Sequence, residues 1–477
     1  MAATTAAAIP GLPVETELPD QVGVLVLGAG LAGCAALLAA AEAGQYAFGI
    51  EKTDAIGGST VKSAGLSAFA GTDEQAAQGI DDSVDLLRAD LLEVGKHRND
   101  PALVDLYCAH QLETYRWLKS HGIEYGEIHA ASGQSAPRSH PTDTTGMLVH
   151  LLKAAGKLGA RIRFETPATR LLHDGTRVTG VEVRTADGAT HQILADAVVL
   201  ATGGFSMSPE MLETFAPQME HALRQGGVGN TGDGLKMGMA LGAGLRDTPY
   251  IKGTYGHYYT EHPDEDGTGI LAVYKGAIAV NRDGRRFVDE SKNYKEIGDA
   301  ALVQPDVTTW QIFDAATMAL SNDEVPIYEF AGRLRAGLLI EADTIADLET
   351  KVGLPSGSLV ATVDAYNSAI AEGTPDPLGR VHLSGGVGER RPIATGPFYA
   401  HASGTVVLAT YCGLTVDTDL RVLDWWGAPI ERLYAAGEMI GGLHGAGYMT
   451  GTSIGKAGIF GRLAGTHAAA EESDLEW

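Results

Sequence analysis

The sequence predicts an α/β fold: a Rossmann-like dinucleotide-binding domain with an inserted α+β cap domain. Three observations predict it. The apolar run "QVGVLVL" (21–27) leads straight into a glycine-rich turn, Gly28-Ala29-Gly30-Leu31-Ala32-Gly33. An Ala/Leu-rich segment and a second short apolar run follow, which is a β–α–β start. From about residue 248 the texture turns loop-like and aromatic, and strand and glycine-loop texture returns at 396. The expected organisation is a flexible N-terminal tail (1–20), a first part of the nucleotide domain (21–247), a cap (248–395) and a second part of the nucleotide domain (396–477).

Each element follows from local pattern. "QVGVLVLGAG" is a buried parallel strand by composition. "LAGCAALLAAAEAG" is a helix closed by Gly44. "YAFGIEK" is the second strand. Residues 81–121 carry helical periodicity, as does "TTGMLVHLLKAAGKLGA". "RIRFE", "VTGVEVRT" and "AVVLATGG" read as strands. In the cap, helical stretches are expected over 343–351 and 358–372, and "TPDPLGRVHLSGGVGERRP" reads as a connector.

Composition bounds the function. The chain has 477 residues, too many for one simple core, and 62 of them are glycine. A net charge of −25 argues against nucleic acid or anionic membrane as partner, since both require a basic surface. Cys34, Cys108 and Cys412 form no CxxC pair and no disulfide framework, so a reducing, cytoplasmic location is expected. No apolar run reaches membrane-spanning length, and the N-terminus lacks the basic region of a secretory signal. No Cys/His spacing suits a metal, and nothing specifies an oligomeric state.

The turn at 28–33 fits G-x-G-x-x-G. Gly28 allows the tight turn, Gly30 the close approach of a pyrophosphate, and Gly33 close helix–strand packing. Glu51 ends the second strand, where an acid accepts hydrogen bonds from ribose hydroxyls. A second glycine-rich turn follows at once in "EKTDAIGGSTVKSAG", carrying Lys52, Gly58, Ser59 and Thr60. "ATGG" (Ala201, Thr202, Gly203) and "LYAAGE" (Gly437, Glu438) supply two further sites of close backbone approach. Together these stretches resemble the fumarate reductase/succinate dehydrogenase flavoprotein superfamily, from about residue 22 to 470. The resemblance implies a glutathione-reductase-type FAD-binding domain with all these residues at the cofactor. It also implies that Ser453 and Ile454, at the start of the last helix, face the flavin. No histidine neighbours "GGST" where the membrane complexes attach flavin covalently, so non-covalent FAD is expected.

The dicarboxylate-reducing branch carries "RFVNE-x-x-x-R" and "HGANRLGG", each with a functional arginine. Here the matching stretches are "RFVDESKNY" (286–294) and "HGAGYMTG" (444–451), with Tyr294 and Tyr448 in the arginine places. "ATYCG" (409–413) lacks the histidine of the family's His-Thr-x-Gly-Gly stretch. Arginine stays charged and grips carboxylates in a fork, whereas tyrosine is a neutral donor suited to a carbonyl oxygen or to proton transfer. In this the chain resembles the 3-ketosteroid dehydrogenase branch, the Δ4-(5α) enzymes above all. Thr450 stands where that branch has a serine. Asp289 departs from its usual asparagine, and the cap loop 250–262 is this chain's own.

The resemblance implies α,β-desaturation of a cyclic ketone, ketosteroid-like or smaller. A tyrosine hydroxyl and the N–H near Gly451 hold the carbonyl oxygen, a tyrosine removes the α-proton, and hydride passes to flavin N5. Tyr448 relayed by Thr450 is the preferred base, with Tyr294 on the carbonyl; the reverse assignment stays open. The partners are a small apolar cyclic ketone or enone and an external electron acceptor or donor. Two rival readings are an enone or enoate reductase running the reverse reaction and a non-catalytic FAD-binding protein. A dicarboxylate reductase would need carboxylate clamps that the sequence does not supply. Arg138, His140, Cys412 and the aromatic stretch Tyr255, His257, Tyr258 and Tyr259 are secondary candidates, with structural roles the simpler expectation for the first three.

Overall fold

The computed structural model describes residues 5–473, apart from 252, 258–268, 324, 385 and 386; Tyr258 and Tyr259 thus lie outside the described residues. The chain divides into two compact units. One comprises the residues up to Ala216, Gly226–Ile251 and those from Ala409 on; the other comprises Pro217–Gln225 and Lys252–Leu408.

The first unit is built on an eight-stranded sheet. Its path runs Arg421–Leu423, Pro429–Ala435, Thr190–Leu200, Gln21–Leu27, Ala47–Ile50, Arg161–Arg163. The last five strands of that path are parallel, and the near-continuous burial of Gln21–Leu27 and Ala47–Ile50 matches their apolar sequences. Register places functional loops together. Leu27 pairs with both Ile50 and Leu200, and Ala435 pairs with Leu200. The glycine turn, Glu51, Ala201–Gly203 and Gly437–Glu438 therefore leave one edge of the sheet side by side, the edge where doubly wound sheets bind ligands.

The helix after the glycine turn, Leu31–Glu42, is alanine-rich and buried along almost its whole length. It lies against the closing helix, Thr452–Ala468, which is also rich in small residues. A Cβ on Gly461 would come within 2.4 Å of the Ala32 carbonyl oxygen, and one on Gly465 within 2.2 Å of that of Ala36. The two backbones are thus in direct contact, and glycine is required at both crossings.

The expected flexible tail is corrected for residues 5–20. Ala6 is buried and donates its N–H to Asp54, while Pro13 and Glu15 bond the Ile162 main chain at 3.0 and 2.8 Å. The segment covers the edge strand Arg161–Arg163, whose main-chain groups would otherwise be unpaired.

The second unit, the cap, holds a six-stranded sheet. Its path runs Thr254–His257, Phe398–Val407, Thr309–Asp314, Ile278–Asn281, with Ile340–Ala342 and Leu223–Arg224 also pairing to Phe398–Val407. Alternation along Thr309–Asp314 sends Phe313 into one apolar cluster, with Tyr399 and Ala279, and Trp310 and Ile312 into another, with Ile278 and Ala400. Two boundaries differ from expectation. Phe398–Val407 is the hub of the cap sheet, so the cap extends to Leu408 rather than 395. Leu223–Arg224 pairs with Val406–Val407, which draws 217–225 out of the nucleotide domain. The expected connector 374–392 is also structural, since it carries the fully buried Arg380 into the cap.

Candidate active site

The glycine turn is fixed by its neighbours. Gly28 has φ +111°, and a Cβ there would meet the Ala201 carbonyl oxygen at 2.4 Å. A Cβ on Gly33 would fall on the carbonyl oxygen of Gly28, so the first turn of the helix can press against the strand end only with glycine. Glu51 Oε2 accepts the Ala29 N–H at 2.9 Å, and Thr60 Oγ1 accepts that of Leu31 at 3.0 Å. The second turn is thereby pinned to the first.

Gly30 differs. Its φ of −79° is ordinary, and a Cβ would touch only Gly57 O and Thr60 Oγ1, each at 3.6 Å. A Cβ on Gly58 would meet nothing within 4 Å. Protein packing does not require the missing side chain at Gly30, so space remains beside a helix N-terminus, where a pyrophosphate fits. This cradle suits a dinucleotide cofactor.

The remaining expected cofactor residues converge on the same edge. Lys52 Nζ donates to Asp233 at 2.6 Å and to Thr231 at 2.5 Å. Thr202 Oγ1 faces the Met439 sulfur at 3.1 Å, and Gly203 has φ +76°. Glu438 accepts bonds from the Thr410 N–H at 2.9 Å and from Ser59 Oγ at 3.0 Å, while Asn230 donates to Ser59 at 2.6 Å. Burial pushes the Glu438 carboxyl above its ordinary value, against the pull of these hydrogen bonds. Gly437, at φ +68°, faces Ala32, where a Cβ would come within 2.7 Å.

The loop 444–451 is held on all sides. Asn99 donates to Leu443 O at 2.7 Å, and the Ala446 N–H bonds Gly95 O at 3.0 Å. Thr450 gives its N–H to Ser132 O at 3.0 Å and accepts from Gln134 Nε2 at 2.8 Å. Arg138, fully buried, pairs with Asp82 at 2.8 Å and Asp90 at 2.7 Å, which is the structural role expected for it. His140 bonds Thr72 at 2.7 Å, also a structural contact.

Tyr448 is partly buried in this loop. Its ring stacks on Tyr411 with centroids 4.7 Å apart, and His444 packs against both rings at 5.2 and 5.4 Å. Tyr411 holds φ +56°, a conformation that costs a non-glycine residue about 1–3 kcal/mol and that clusters at functional sites. Burial raises the Tyr448 phenol above its ordinary value; the Ser453 side chain and the Gly451 and Ser453 main chain pull it back. Gly451, at φ +91°, caps the closing helix, and Ile454 is buried in its first turn. Ser453 acts on the phenol, but its Oγ is buried and makes no hydrogen bond among the described residues, while Thr450 is tied down through its main chain.

Sequence reasoning missed Tyr411, His444, Thr410 and Asn230. The signal for Tyr411 was present in "ATYCG", a stretch read only for the histidine it lacks. Cys412 is a packed thiol, pushed up to about 12 by burial.

In the cap, Tyr294 opens the helix Tyr294–Leu302, capped by Asn293. The "RFVDE" stretch positions it. Arg286 grips Glu290 through two bonds, 2.8 and 2.5 Å, and Asp376 at 2.6 Å; Glu290 also accepts the Ala279 N–H at 3.1 Å. Arg380 donates to the carbonyls of Ala277 and Val273 at 2.9 and 2.6 Å. Lys295, almost fully buried, sits 5.5 Å from the Tyr294 ring centroid and donates to Thr254 at 2.6 Å. Tyr274 donates to Lys292 O at 2.8 Å, just ahead of that helix.

His257 lies among cations in the cap. Burial, with Lys295 and Arg333 adding to it, pulls its imidazole down to about 4. The neutral form is favoured in the fold, so the unfolded chain binds the extra proton between pH 6.5 and 4. Stability is thus lost as pH falls through that window and levels off below it. Wild type should lose about 2 kcal/mol more than His257→Gln between pH 7 and pH 4.5. Urea titrations of both proteins at the two pH values check this; equal losses would remove His257 from the acid response.

Among the described residues there is no cluster of potential metal ligands, and no helix is long and apolar enough to cross a membrane. The family model described as "FAD binding domain" matches residues 23–454. The urocanate reductase of Eggerthella lenta is 34% identical over 474 residues, covering 97% of this chain and 77% of that protein. The fumarate reductase (cytochrome) of Shewanella frigidimarina is 32% identical over 463 residues, covering 94% and 77%. The solved 3-ketosteroid-Δ4-(5α)-dehydrogenase of Rhodococcus jostii RHA1, in complex with 4-androstene-3,17-dione, superposes with a TM-score of 0.74 at 28% identity, covering 98% of this chain and all of that one.

Proposed function

The chain belongs to the FAD-binding family of the fumarate reductase superfamily, an FAD-dependent oxidoreductase by that membership, and from this we propose that it desaturates a ketone between its α- and β-carbons. One observation carries the reading: a tyrosine, Tyr448, stands just ahead of the N-terminus of the closing helix, where the Gly451 and Ser453 main chain acts on its phenol. A phenol there exchanges a proton and tolerates the phenolate that forms, because the helix end and its N–H groups stabilise negative charge.

Bound FAD, held without a covalent link, supplies the two-electron acceptor for the hydride leaving the β-carbon. The residues of the chain do the rest. Tyr448 Oη takes the α-proton and passes it on toward solvent, with Thr450 as the relay the family resemblance suggests. By its place in the "RFVDESKNY" stretch alone, Tyr294 is given the family's role of donating a hydrogen bond to the carbonyl oxygen, which stabilises enolate-like charge. Tyr411 and His444 hold the Tyr448 ring in its plane and offer an apolar, aromatic wall. Such a surface suits a cyclic ketone better than a dicarboxylate. The similarity to the Rhodococcus jostii dehydrogenase supports a ketone of this class.

A second reading is favoured by the relatives at 32% and 34% identity, both of them reductases. It reverses the flow: Tyr448 donates the proton and an enone or enoate is saturated. The raised phenol favours that neutral donor at pH 7. The deciding experiment is anaerobic mixing of the holoprotein with saturated cyclic ketones, from a 5α-3-ketosteroid to cyclohexanones, while the oxidised flavin band is followed. Bleaching is the expected result. No bleaching, together with reoxidation of dithionite-reduced protein by an enone or enoate, would replace desaturation by reduction.

A further inference from the structure

The closing helix buries a lysine among glycines and apolar residues. Lys456 is 2% exposed, and its Nζ donates to the Ile440 carbonyl oxygen at 2.6 Å. A buried ammonium costs several kcal/mol, roughly, unless charge and hydrogen bonds compensate it. Three groups from three other segments face it: Glu438, Asp247 and Cys412. Glu438 is fixed by Thr410 and Ser59, as described above. Asp247 accepts the Gly442 N–H at 2.6 Å and sits beside Arg246, which bonds Asp100 at 2.6 Å. The two carboxylates thus hold both ends of 438–442, and Lys456 holds the carbonyl midway between them.

A strut at this place needs only a donor. The charge matters because two buried carboxylates, Glu438 and the Asp247 that binds Gly442, act on the ammonium from the two ends of 438–442. Burial lowers Lys456 to about 8, against the pull of Glu438, Asp247 and Cys412, which leaves it mainly cationic at pH 7.

We infer that Lys456 is a charge-setting positioning residue: its ammonium offsets the negative charge of Glu438 and Asp247, adds to the positive end of the closing helix, and so raises the reduction potential of the bound flavin. The inference rests on the FAD reading. Reduction adds negative charge to the cofactor, and nearby protein charge tunes its electronics. Without the lysine, the two carboxylates stand uncompensated and oppose reduction.

The test measures the midpoint potential of bound FAD by anaerobic equilibration with a reference dye, in wild type, Lys456→Gln and Lys456→Met. Gln keeps a donor and removes the charge; Met removes both. The expected result is a tenfold weaker equilibrium toward reduced flavin in each variant, about 30 mV downward for a two-electron couple. Asp247→Asn placed in the Lys456→Gln background should recover part of it, because it deletes a facing anion. A Lys456→Gln protein with the wild-type potential would reduce Lys456 to a strut and overturn the inference. If Lys456→Met does not fold, the Gln variant alone decides. Wild-type apoprotein that takes up no FAD would overturn the cofactor premise itself, a result distinct from a bound flavin whose potential ignores Lys456.

Discussion

Tyr448→Phe is expected to lower turnover by about 10²- to 10⁴-fold, the usual contribution of a positioned acid or base, with flavin content unchanged. The change deletes one oxygen and keeps the ring. The stack on Tyr411 at 4.7 Å and the edge contact with His444 therefore survive, and the loop has no reason to move. What is lost is the proton acceptor beside Ser453. The pH profile gives an independent check. Burial raises the phenol, and a base must be deprotonated, so desaturation in the wild type should climb with pH from 7 toward 10. The reverse, saturating direction needs the neutral phenol and should stay level over the same range. In Tyr448→Phe the slope of desaturation should flatten. Steady-state rates within threefold of wild type would remove Tyr448 from the chemistry and leave it as packing.

Arg286→Met should cost the cap about 3–5 kcal/mol, the range for removing one partner of a buried ion pair. The Glu290 and Asp376 side chains are completely buried, and Arg286 is their closest cation, at 2.5 and 2.6 Å. Arg380 and Arg390 remain, but at 3.4 and 3.6 Å. Truncation leaves carboxylates with too little compensation in a site that excludes water. Equilibrium unfolding in urea, followed by fluorescence, reads the loss. Because Glu290 lies four residues before Tyr294, in the stretch that leads into its helix, kcat should fall as well, while FAD stays bound. A shift below 1 kcal/mol would mean that the network is carried by Arg380 alone.

The nucleotide half of the fold was legible because its signals are local. Gly28, Gly30, Gly33 and Glu51 lie within one strand–helix–strand unit, and steric demands at Gly28 and Gly33 leave little choice of residue. The tyrosines at 294 and 448 were singled out by motif position alone. What escaped was long-range pairing. Arg380 meets Glu290 across 90 residues and reads, in sequence, as part of a Pro/Gly-rich connector. Lys456 carries no signal in the sequence, because Asp247, which acts on it, is remote from it along the chain. The cap boundary failed for another reason. "FYAHASGTVV" has the texture of any buried strand, and only its antiparallel partners, Thr309–Asp314 and Thr254–His257, assign it to the cap. Residues 5–20 looked like a tail because main-chain pairing to an edge strand leaves no mark on side-chain pattern.

The glycine seam between Leu31–Glu42 and Thr452–Ala468 has a consequence for biosynthesis. The helix proposed to present its N-terminus to a pyrophosphate leaves the ribosome before the whole of the cap, and the surface that covers it leaves after the cap. Until residues 452–468 emerge, the small apolar face around Ala32 and Ala36 has no partner. The early half of the domain must therefore wait, exposed, through the synthesis of the entire cap, whose own sheet can close in the meantime. Truncation a few turns before the end would strip the seam away and leave a chain with its fingerprint intact and its cofactor cradle open, a species prone to aggregation rather than a smaller working enzyme.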